Sequence, residues 1–273
     1  PTTFSPDNIK EVLDDIRKDK SVNNVLLYIN SGGGSVTASE KIRNMLVNFK
    51  KETGKTLTVS MNGLAASGAY WISTAADYVY ASPETITGSI GVFSLGISAD
   101  KLLNEYGVYE DGVETSELAR TSIAREMPQS QKIEIQLSVE SIYKKFITLA
   151  RNAQPELQKV DYREFAEGRI FTVYDAKNLH LINDIDTFDN LIANAKKQIE
   201  KDKNTICKVK HFVPDGIDSQ FILKRLLSTH IQGLVSDNTL KMLLSWFDTA
   251  SVKGSNTQTP KIMATSAFTS IDL

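Results

Sequence analysis

A serine stands among small residues where a strand-forming run gives way to a helical pattern, in the stretch MNGLAASGAYWIS at positions 61–73. A strand that ends in a tight turn and opens a helix exposes the first helical residues at the carboxyl edge of a sheet, where α/β proteins usually hold their sites. The N–H groups and positive dipole of a helix start can stabilise an oxyanion. Ser67 is therefore a candidate nucleophile with the Gly68 N–H as oxyanion donor. The alternative is that Ser67 only caps the helix, a role that serines favour.

A second turn of the same kind is rich in glycine and reads NSGGGSV at positions 30–36. It joins a buried strand to a helix, and its backbone N–H groups could hold a phosphate or an oxyanion. It lacks the Lys-Ser/Thr ending of a Walker loop and does not match G-x-G-x-x-G, so on its own it is better explained as a tight turn. Taken with the turn at Ser67, however, one N–H from each would form a two-donor oxyanion hole.

A general base for Ser67 is harder to find in the sequence. The histidines all lie far downstream, at His180, His211 and His230. His180 falls at a predicted helix end where Gly or Asn is usual, which favours a structural or solvent-facing role. A lysine whose charged form is disfavoured by burial could deprotonate a serine. Residues 102–131 contain no lysine, and their cations, Arg120 and Arg125, stay protonated.

The composition limits the class of protein. With 273 residues, 41% of them hydrophobic, the chain can bury one large core, with or without an appendage. Its net charge of -2 gives no general attraction to nucleic acid or to an anionic membrane surface. The single cysteine, Cys207, excludes an internal disulfide and a cysteine-rich metal site, and neither a metal nor another cofactor is expected.

Two features concern how the chain relates to membranes and to a longer protein. No apolar run approaches the ~20 residues of a membrane span. The chain starts at Pro1 with neither a signal peptide nor an initiator Met. We therefore expect a processed product or an excised portion of something longer.

Helical and strand patterns alternate along the chain. Residues 23–30 and 55–63 are apolar runs of strand length, which predict strands buried on both faces, and helical patterns precede, separate and follow them. This alternation predicts an α/β fold with a largely parallel sheet. Further helices are expected over about 127–153, 174–181 and 186–201. The apolar residues of the first are Ile133, Leu137, Phe146 and Leu149.

The pattern weakens after residue 201. Residues 206–273 are predicted to form a helical extension, with amphipathic helices in FILKRLLSTHIQGLVS and LKMLLSWF. The stretch 249–270 is rich in Ser and Thr and is predicted to be a disordered tail. The main domain is thus expected to cover residues 1–205.

Three stretches together resemble the signal peptide peptidase A, or protease IV, family of serine peptidases: NSGGGSVTASEKI, SMNGLAASGAYWISTAADYVYASPETITGSIGVF and EGRIFTVYDAKNLHLIND. The resemblance runs from about residue 8 to about residue 200 and is greatest to the C-terminal half of the long, two-repeat form. It implies the spiral of ββα units that Clp proteases and crotonases share, with the opening strand missing here.

The resemblance also implies roles for individual residues. Ser67 would be the nucleophile, the Gly34 and Gly68 N–H groups would form the oxyanion hole, and Ser89 in TGSIGV would orient the catalytic lysine. By its own pattern, Ser89 is equally a turn or strand residue. The lysine that short family members carry would fall within 118–123, where none is present. In the long form the N-terminal half supplies it, so this chain is expected to be half of an enzyme.

Three positions depart from the family pattern. Gly32 stands where the family has a proline, which should loosen the glycine-rich turn. Val173 and His180 replace two usual glycines.

The leading hypothesis is a serine endopeptidase that hydrolyses apolar peptides, such as cleaved signal peptides, through a Ser-Lys dyad. One rival is a non-catalytic scaffold or peptide-binding half of the assembly. Another is a crotonase-like acyl-thioester enzyme that uses the two N–H donors without a nucleophilic serine. The resemblance implies a homotetramer at the periplasmic face of the bacterial inner membrane, anchored outside this chain, and no nucleic-acid partner. It also implies an exposed apolar surface where the N-terminal half packs.

Overall fold

A computed structural model describes residues 5–203, 207–212 and 262–269, and it confirms the predicted α/β class with a mostly parallel sheet. The helices are α1 (Pro6–Lys18), α2 (Val36–Thr53), α3 (Gly68–Ser73), α4 (Asp100–Glu105), α5 (Gln129–Ala153), α6 (Tyr162–Phe165), α7 (Val173–Asn178) and α8 (Phe188–Lys203). The strands are β1 (Val22–Ser31), β2 (Thr56–Ala66), β3 (Tyr78–Ala81), β4 (Ile86–Gly88), β5 (Ile170–Thr172), β6 (Asp184–Ile185), β7 (Cys207–Phe212) and β8 (Ile262–Thr269).

The sheet is organised around the long strand β2. The strand order is β5-β4-β2-β1-β8-β7, and β3 branches from β2 to pair with β6. The described pairs are parallel except for the antiparallel pair of β4 and β5. One edge of β2 pairs with β1, while the other pairs first with β3 and then, at Leu64–Ala66, with β4. Ser67, which follows β2 directly, therefore lies between the carboxyl ends of β1 and β4.

The main core lies between one face of the sheet and helices α1 and α2. The buried side of α1 carries Ile9, Val12, Leu13 and Ile16, at the spacing of an amphipathic helix. Alternate residues of β1 join the same cluster, namely Val25, Leu27 and Ile29. On the other face of β1, Leu26 and Leu191 of α8 line a cavity of about 390 Å³. Strand β1 is thus covered on both faces, as its continuous apolar run predicted.

Serine and glycine residues mark the ends of the first two helices. The Ser5 and Ser35 hydroxyls accept hydrogen bonds from Asn8 N and Ala38 N, which caps α1 and α2. Helix α2 ends at Gly54 in the left-handed conformation, with a φ of 67°. A Cβ at Gly54 would meet nothing within 4 Å.

The structure differs from the predicted helical extension at two places. Residues 207–212 form β7, and residues 262–269, which fall in the predicted disordered tail, form β8. Strand β8 lies between β1 and β7 and is parallel to both, so these two segments belong to the main sheet. The Ser/Thr-rich composition of the tail gave no strand signal. Strand β8 forms because its backbone pairs with β1, which lies far away in the sequence. The amphipathic helices predicted between the two strands lie outside the described residues.

Helix α5 packs against the hydrophobic core only along its second half. Phe146, Ile147 and Ala150 are buried, whereas Ile133 and Leu137 are 51% and 55% exposed. The amphipathic pattern continues over both halves, so it did not indicate where the helix leaves the core. Neither α5 nor any other helix in the part of the chain that the structure describes is long and apolar enough to cross a bilayer.

An ion pair between Asp19 and Lys210 should make stability depend on pH in the acid range. Hydrogen bonds from Lys210 of β7 and from Ser21 lower the pKa of Asp19 to about 2. Because the folded-state pKa is below the unfolded value, the stabilisation is complete above about pH 4 and is lost as pH falls toward 2. We expect the loss to be roughly 1–2 kcal/mol. Urea unfolding at about pH 5.5 and about pH 2.5 measures it, and Asp19→Asn should reduce the difference between the two. An Asn variant with the wild-type pH dependence would contradict the prediction.

Candidate active site

Ser67 occupies the turn between β2 and α3 in a strained backbone conformation. Its φ is 52° and its ψ is -119°, a combination that residues other than glycine seldom adopt. Its N–H donates to Gly88 O at 2.9 Å, and its carbonyl oxygen accepts from Trp71 N at 2.9 Å. Strain of this kind costs ~1–3 kcal/mol and persists mainly at functional sites, where the surrounding structure enforces it.

The Ser67 side chain does not cap the helix that it precedes. Ser67 is half-buried, and its hydroxyl makes no capping hydrogen bond to α3. Ser5 and Ser35, at the same position relative to α1 and α2, do make such bonds. The helix-cap alternative for Ser67 therefore loses its support, and the hydroxyl is available for chemistry.

The glycine-rich turn packs directly against Ser67 and Gly68. A Cβ on Gly33, whose φ is 105°, would lie 2.6 Å from Gly68 N and 2.7 Å from Ser67 Cβ. A Cβ on Gly68 would lie 3.0 Å from Gly34 N and 2.4 Å from Ser39 Oγ. Both positions need glycine because a Cβ would collide with backbone atoms or with the buried Ser39 side chain of α2. The N–H groups of Gly34 and Gly68 therefore lie near each other, beside Ser67.

Ser89 lies next to Ser67 across the pairing of β2 with β4. It follows Gly88, the residue that accepts the hydrogen bond from Ser67 N. Its own N–H donates to Arg169 O at 2.6 Å, and its φ is 50°. Ser89 is thus a turn residue at the end of a short strand, as its local pattern indicates. It also lies close to Ser67 in the fold, because the preceding residue, Gly88, accepts the hydrogen bond from Ser67 N.

Comparison with known proteins identifies the family. Peptidase family S49 matches residues 49–202, a range that contains Ser67, Gly68 and Ser89. The chain belongs to peptidase family S49. The Clp protease family matches residues 7–87, which include the glycine-rich turn and agree with the predicted Clp-like arrangement of the S49 fold.

The relatives of this S49 chain include several longer proteases. Protease 4 of Salmonella typhi is 41% identical over 71% of this chain and 31% of its own length. Protease 4 of Haemophilus influenzae is 34% identical over 83% of this chain and 37% of its own length. A putative signal peptide peptidase SppA of Enterococcus faecium is 29% identical over 76% of this chain and 60% of its own length. This chain thus spans about a third of the length of the two Protease 4 relatives.

Within the described residues of this S49 chain, no histidine or lysine side chain is hydrogen-bonded to Ser67. His230 lies outside these residues, and His211 is on β7. Residues 118–123, where the resemblance placed the family lysine, contain Arg120. Its Nε lies 3.5 Å from Glu110 and 3.3 Å from Glu114, so local carboxylates neutralise its guanidinium. A guanidinium stays protonated, so Arg120 is no candidate for the general base.

His180 has a backbone conformation that glycine would adopt at lower cost. It follows α7 with a φ of 61°, and its side chain is exposed. We expect His180→Gly to raise the free energy of unfolding by about 0.5–1 kcal/mol, since glycine avoids the steric cost of the left-handed region. Denaturant unfolding measures this effect, and His180→Ala, which keeps the Cβ, should not reproduce it. Peptidase activity that falls with His180→Gly would instead indicate a catalytic histidine.

Sequence reasoning missed the polar groups that hold α3 in place. The Tyr70 hydroxyl donates to Leu181 O at 2.8 Å, and complete burial raises the pKa of Tyr70. On the other side of α3, the Trp71 Nε1–H donates to Glu40 of α2 at 2.9 Å. Both aromatic residues read as apolar helix positions in the sequence. The sequence signal for these bonds was the hydroxyl of Tyr70 and the indole N–H of Trp71, which need a hydrogen-bond partner when they are buried. It could not identify the partners, because each lies far away along the chain.

Proposed function

We propose that this chain is the nucleophile-bearing half of a serine endopeptidase. The observation that supports it most directly is the strained, non-capping Ser67 beside the N–H groups of Gly34 and Gly68. A hydroxyl in that position can attack a peptide carbonyl while the two N–H groups stabilise the oxyanion that forms. Membership of peptidase family S49 supports the same class of reaction.

In the proposed reaction, a lysine amine takes the proton of Ser67 Oγ as this oxygen bonds to the scissile carbonyl carbon. The tetrahedral oxyanion receives hydrogen bonds from Gly34 N and Gly68 N, each worth roughly 100-fold or more in rate. When the intermediate collapses, the C–N bond breaks and the protonated lysine gives its proton to the leaving amine. Water, deprotonated by the same lysine, then attacks the acyl carbon. The lysine returns this proton to Ser67 Oγ as the ester C–O bond breaks, which releases the carboxylic product and restores Ser67.

The general base comes from outside this chain in this proposal. An interface between two halves of the enzyme would remove water from the incoming lysine, and desolvation lowers the pKa of an ammonium group. Ser89 is well placed to orient that lysine, because its neighbour Gly88 is hydrogen-bonded to the Ser67 backbone.

An exposed apolar segment is the proposed surface for the N-terminal half and for further copies in a homotetramer. We call residues 92–128 the arm. Its most exposed apolar residues are Val113, which is fully exposed, followed by Phe93 (84%), Leu95 (81%), Tyr106 (77%), Ile97 (76%) and Tyr109 (74%). Single exposed apolar residues are ordinary, but a concentration of this kind marks an interaction surface. The arm also contains ion pairs, such as that of Arg125 with Glu114 at 2.9 Å.

Apolar peptides such as cleaved signal peptides are the proposed substrates. A cavity of about 790 Å³ is lined by apolar side chains, among them Phe93, Ile97 and Met127. Charged side chains line it as well, namely Arg125, Glu126 and Lys132. The apolar part of this lining suits apolar side chains of a substrate. The name of the Enterococcus faecium relative, a putative signal peptide peptidase, supports this substrate class. The proposed location is the periplasmic face of a bacterial inner membrane, with the anchor outside this chain.

Adding the missing half tests the proposal. Hydrolysis of an apolar fluorogenic peptide is measured with this chain alone and again with the N-terminal half of the parent protein. We expect activity only in the mixture, and its loss with Ser67→Ala. Serine-dependent activity of this chain alone would place the base within it and contradict the split dyad. A lack of activity in both samples would favour the non-catalytic scaffold.

A further inference from the structure

The two proposed oxyanion donors depend on how α2 and α3 pack against each other. Gly34 lies two residues before α2, and Gly68 is the first residue of α3. The helices touch at this point, since a Cβ on Gly68 would lie 2.4 Å from Ser39 Oγ of α2. A relative shift of the helices would therefore move the two N–H groups apart. Misplacement of catalytic groups by about 1 Å can cost ~100-fold in rate.

Glu40, the residue after Ser39, links α2 to two other helices. Its Oε2 accepts from Trp71 Nε1 of α3 at 2.9 Å, and its Oε1 accepts from Lys145 Nζ of α5 at 2.8 Å. Asn44 Nδ2 donates to Oε1 as well, at 3.0 Å. Burial raises the pKa of Glu40, but the hydrogen bonds from Lys145, Trp71 and Asn44 outweigh it, so the pKa lies below its usual value. The carboxylate is ionised at neutral pH and bound through both oxygens.

Trp71 connects this carboxylate to the backbone of the nucleophile turn. The backbone N–H of Trp71 donates to the Ser67 carbonyl oxygen at 2.9 Å, one helical turn earlier in the chain. Its ring packs on Phe146 of α5, with ring centroids 4.7 Å apart, and Lys145 Nζ lies 6.0 Å from the indole centroid. Glu40, Trp71 and Lys145 thus join three helices at the start of α3, and we call these three residues the clamp.

From this geometry we propose that Glu40 is a positioning residue for the oxyanion hole. Through the clamp, its carboxylate holds α2 and α3 in the register that directs the Gly34 and Gly68 N–H groups to one substrate oxygen. Glu40 touches neither substrate nor the reacting atoms in this role and acts through the two helix starts. The inference rests on the proposed peptidase function and adds a residue that the family resemblance did not assign.

Kinetics of the two-half enzyme test the role of the clamp. We expect Glu40→Ala to lower kcat by about 10- to 100-fold with KM changed less than about twofold, because the donors act mainly in the transition state. Affinity for a peptide boronic acid, whose adduct with Ser67 places an oxygen in the hole, should fall by the same factor as kcat. Glu40→Gln and Lys145→Met should have smaller, similar effects, and the double variant should be no worse than either single variant.

Matched controls separate positioning from folding. Lys144 is exposed on α5 next to Lys145, so Lys144→Met removes a similar charge without touching Glu40 and should leave kcat unchanged. The fraction of enzyme that a fluorophosphonate labels should be the same in all variants. The Trp71 indole N–H resonance of this chain alone should shift with Lys145→Met but not with Lys144→Met.

Three results would overturn the proposal. One is a fall in kcat that matches a fall in the labelled fraction, which would indicate lost fold. Another is a raised KM at unchanged kcat, and the third is an equal effect of Lys144→Met. Failure of the peptidase function itself is recognised separately, because the enzyme with an unaltered clamp would then either show no hydrolysis or keep its hydrolysis in the Ser67→Ala variant.

Discussion

Replacing Ser67 with alanine should lower kcat/KM for peptide hydrolysis by at least about 10⁴-fold in the two-half enzyme, since it removes the nucleophile. The free energy of unfolding should change little. The Ser67 hydroxyl makes no capping hydrogen bond that alanine would lose. The strain at this position belongs to the backbone, whose φ of 52° is enforced by the surrounding strands, so alanine inherits it. Hydrolysis of an apolar peptide and urea unfolding measure the two quantities.

Ser5→Ala is the matched control because it should give the opposite result. Ser5 caps α1 by accepting a hydrogen bond from Asn8 N at 3.3 Å. Its loss should cost about 1 kcal/mol of stability. Activity should stay at the wild-type level. If Ser67→Ala were to destabilise the chain like Ser5→Ala and keep its activity, Ser67 would be a cap and the proposed nucleophile would be wrong.

A methyl group added at Gly33 should reduce activity by about 100-fold or more, which is the effect expected for loss of one oxyanion donor. The new Cβ would lie 2.6 Å from Gly68 N and 2.7 Å from Ser67 Cβ. Neither atom can move away easily, because both belong to the turn between β2 and α3. The collision should therefore displace the turn that carries the Gly34 N–H. Steady-state kinetics of Gly33→Ala measure the effect, and circular dichroism checks the fold.

Gly54→Ala is the control for Gly33→Ala, because it places alanine in a left-handed backbone conformation without creating a steric collision. Gly54 also has a positive φ, 67°, but a Cβ there would meet nothing within 4 Å. The variant should lose roughly 1 kcal/mol of stability and keep its activity, because only the left-handed conformation disfavours alanine. Equal activity losses in Gly33→Ala and Gly54→Ala would show that general destabilisation, rather than the oxyanion hole, is responsible.

Much of the candidate site could be predicted because its signals are local. Ser67 and the glycine-rich turn each lie in one contiguous stretch of sequence, which contains an apolar strand, a turn of small residues and the start of a helix. The clamp could not be predicted in this way. Glu40 and Lys145 are separated by more than a hundred residues, and nothing in the helical pattern of either indicates its partner.

The sequence alone determined the alternation of buried strands and helices, the two turns at the sheet edge and the absence of a lysine within 118–123. The elements and the turns could be predicted because hydrophobic periodicity and turn preferences depend on residues that are close together in the chain. The tertiary structure decided whether the Ser67 hydroxyl caps α3, since its backbone is held by Gly88 on another strand. It also decided that β8 joins the sheet and that half of α5 stays exposed. These features depend on pairing and packing between distant segments, which no local pattern records.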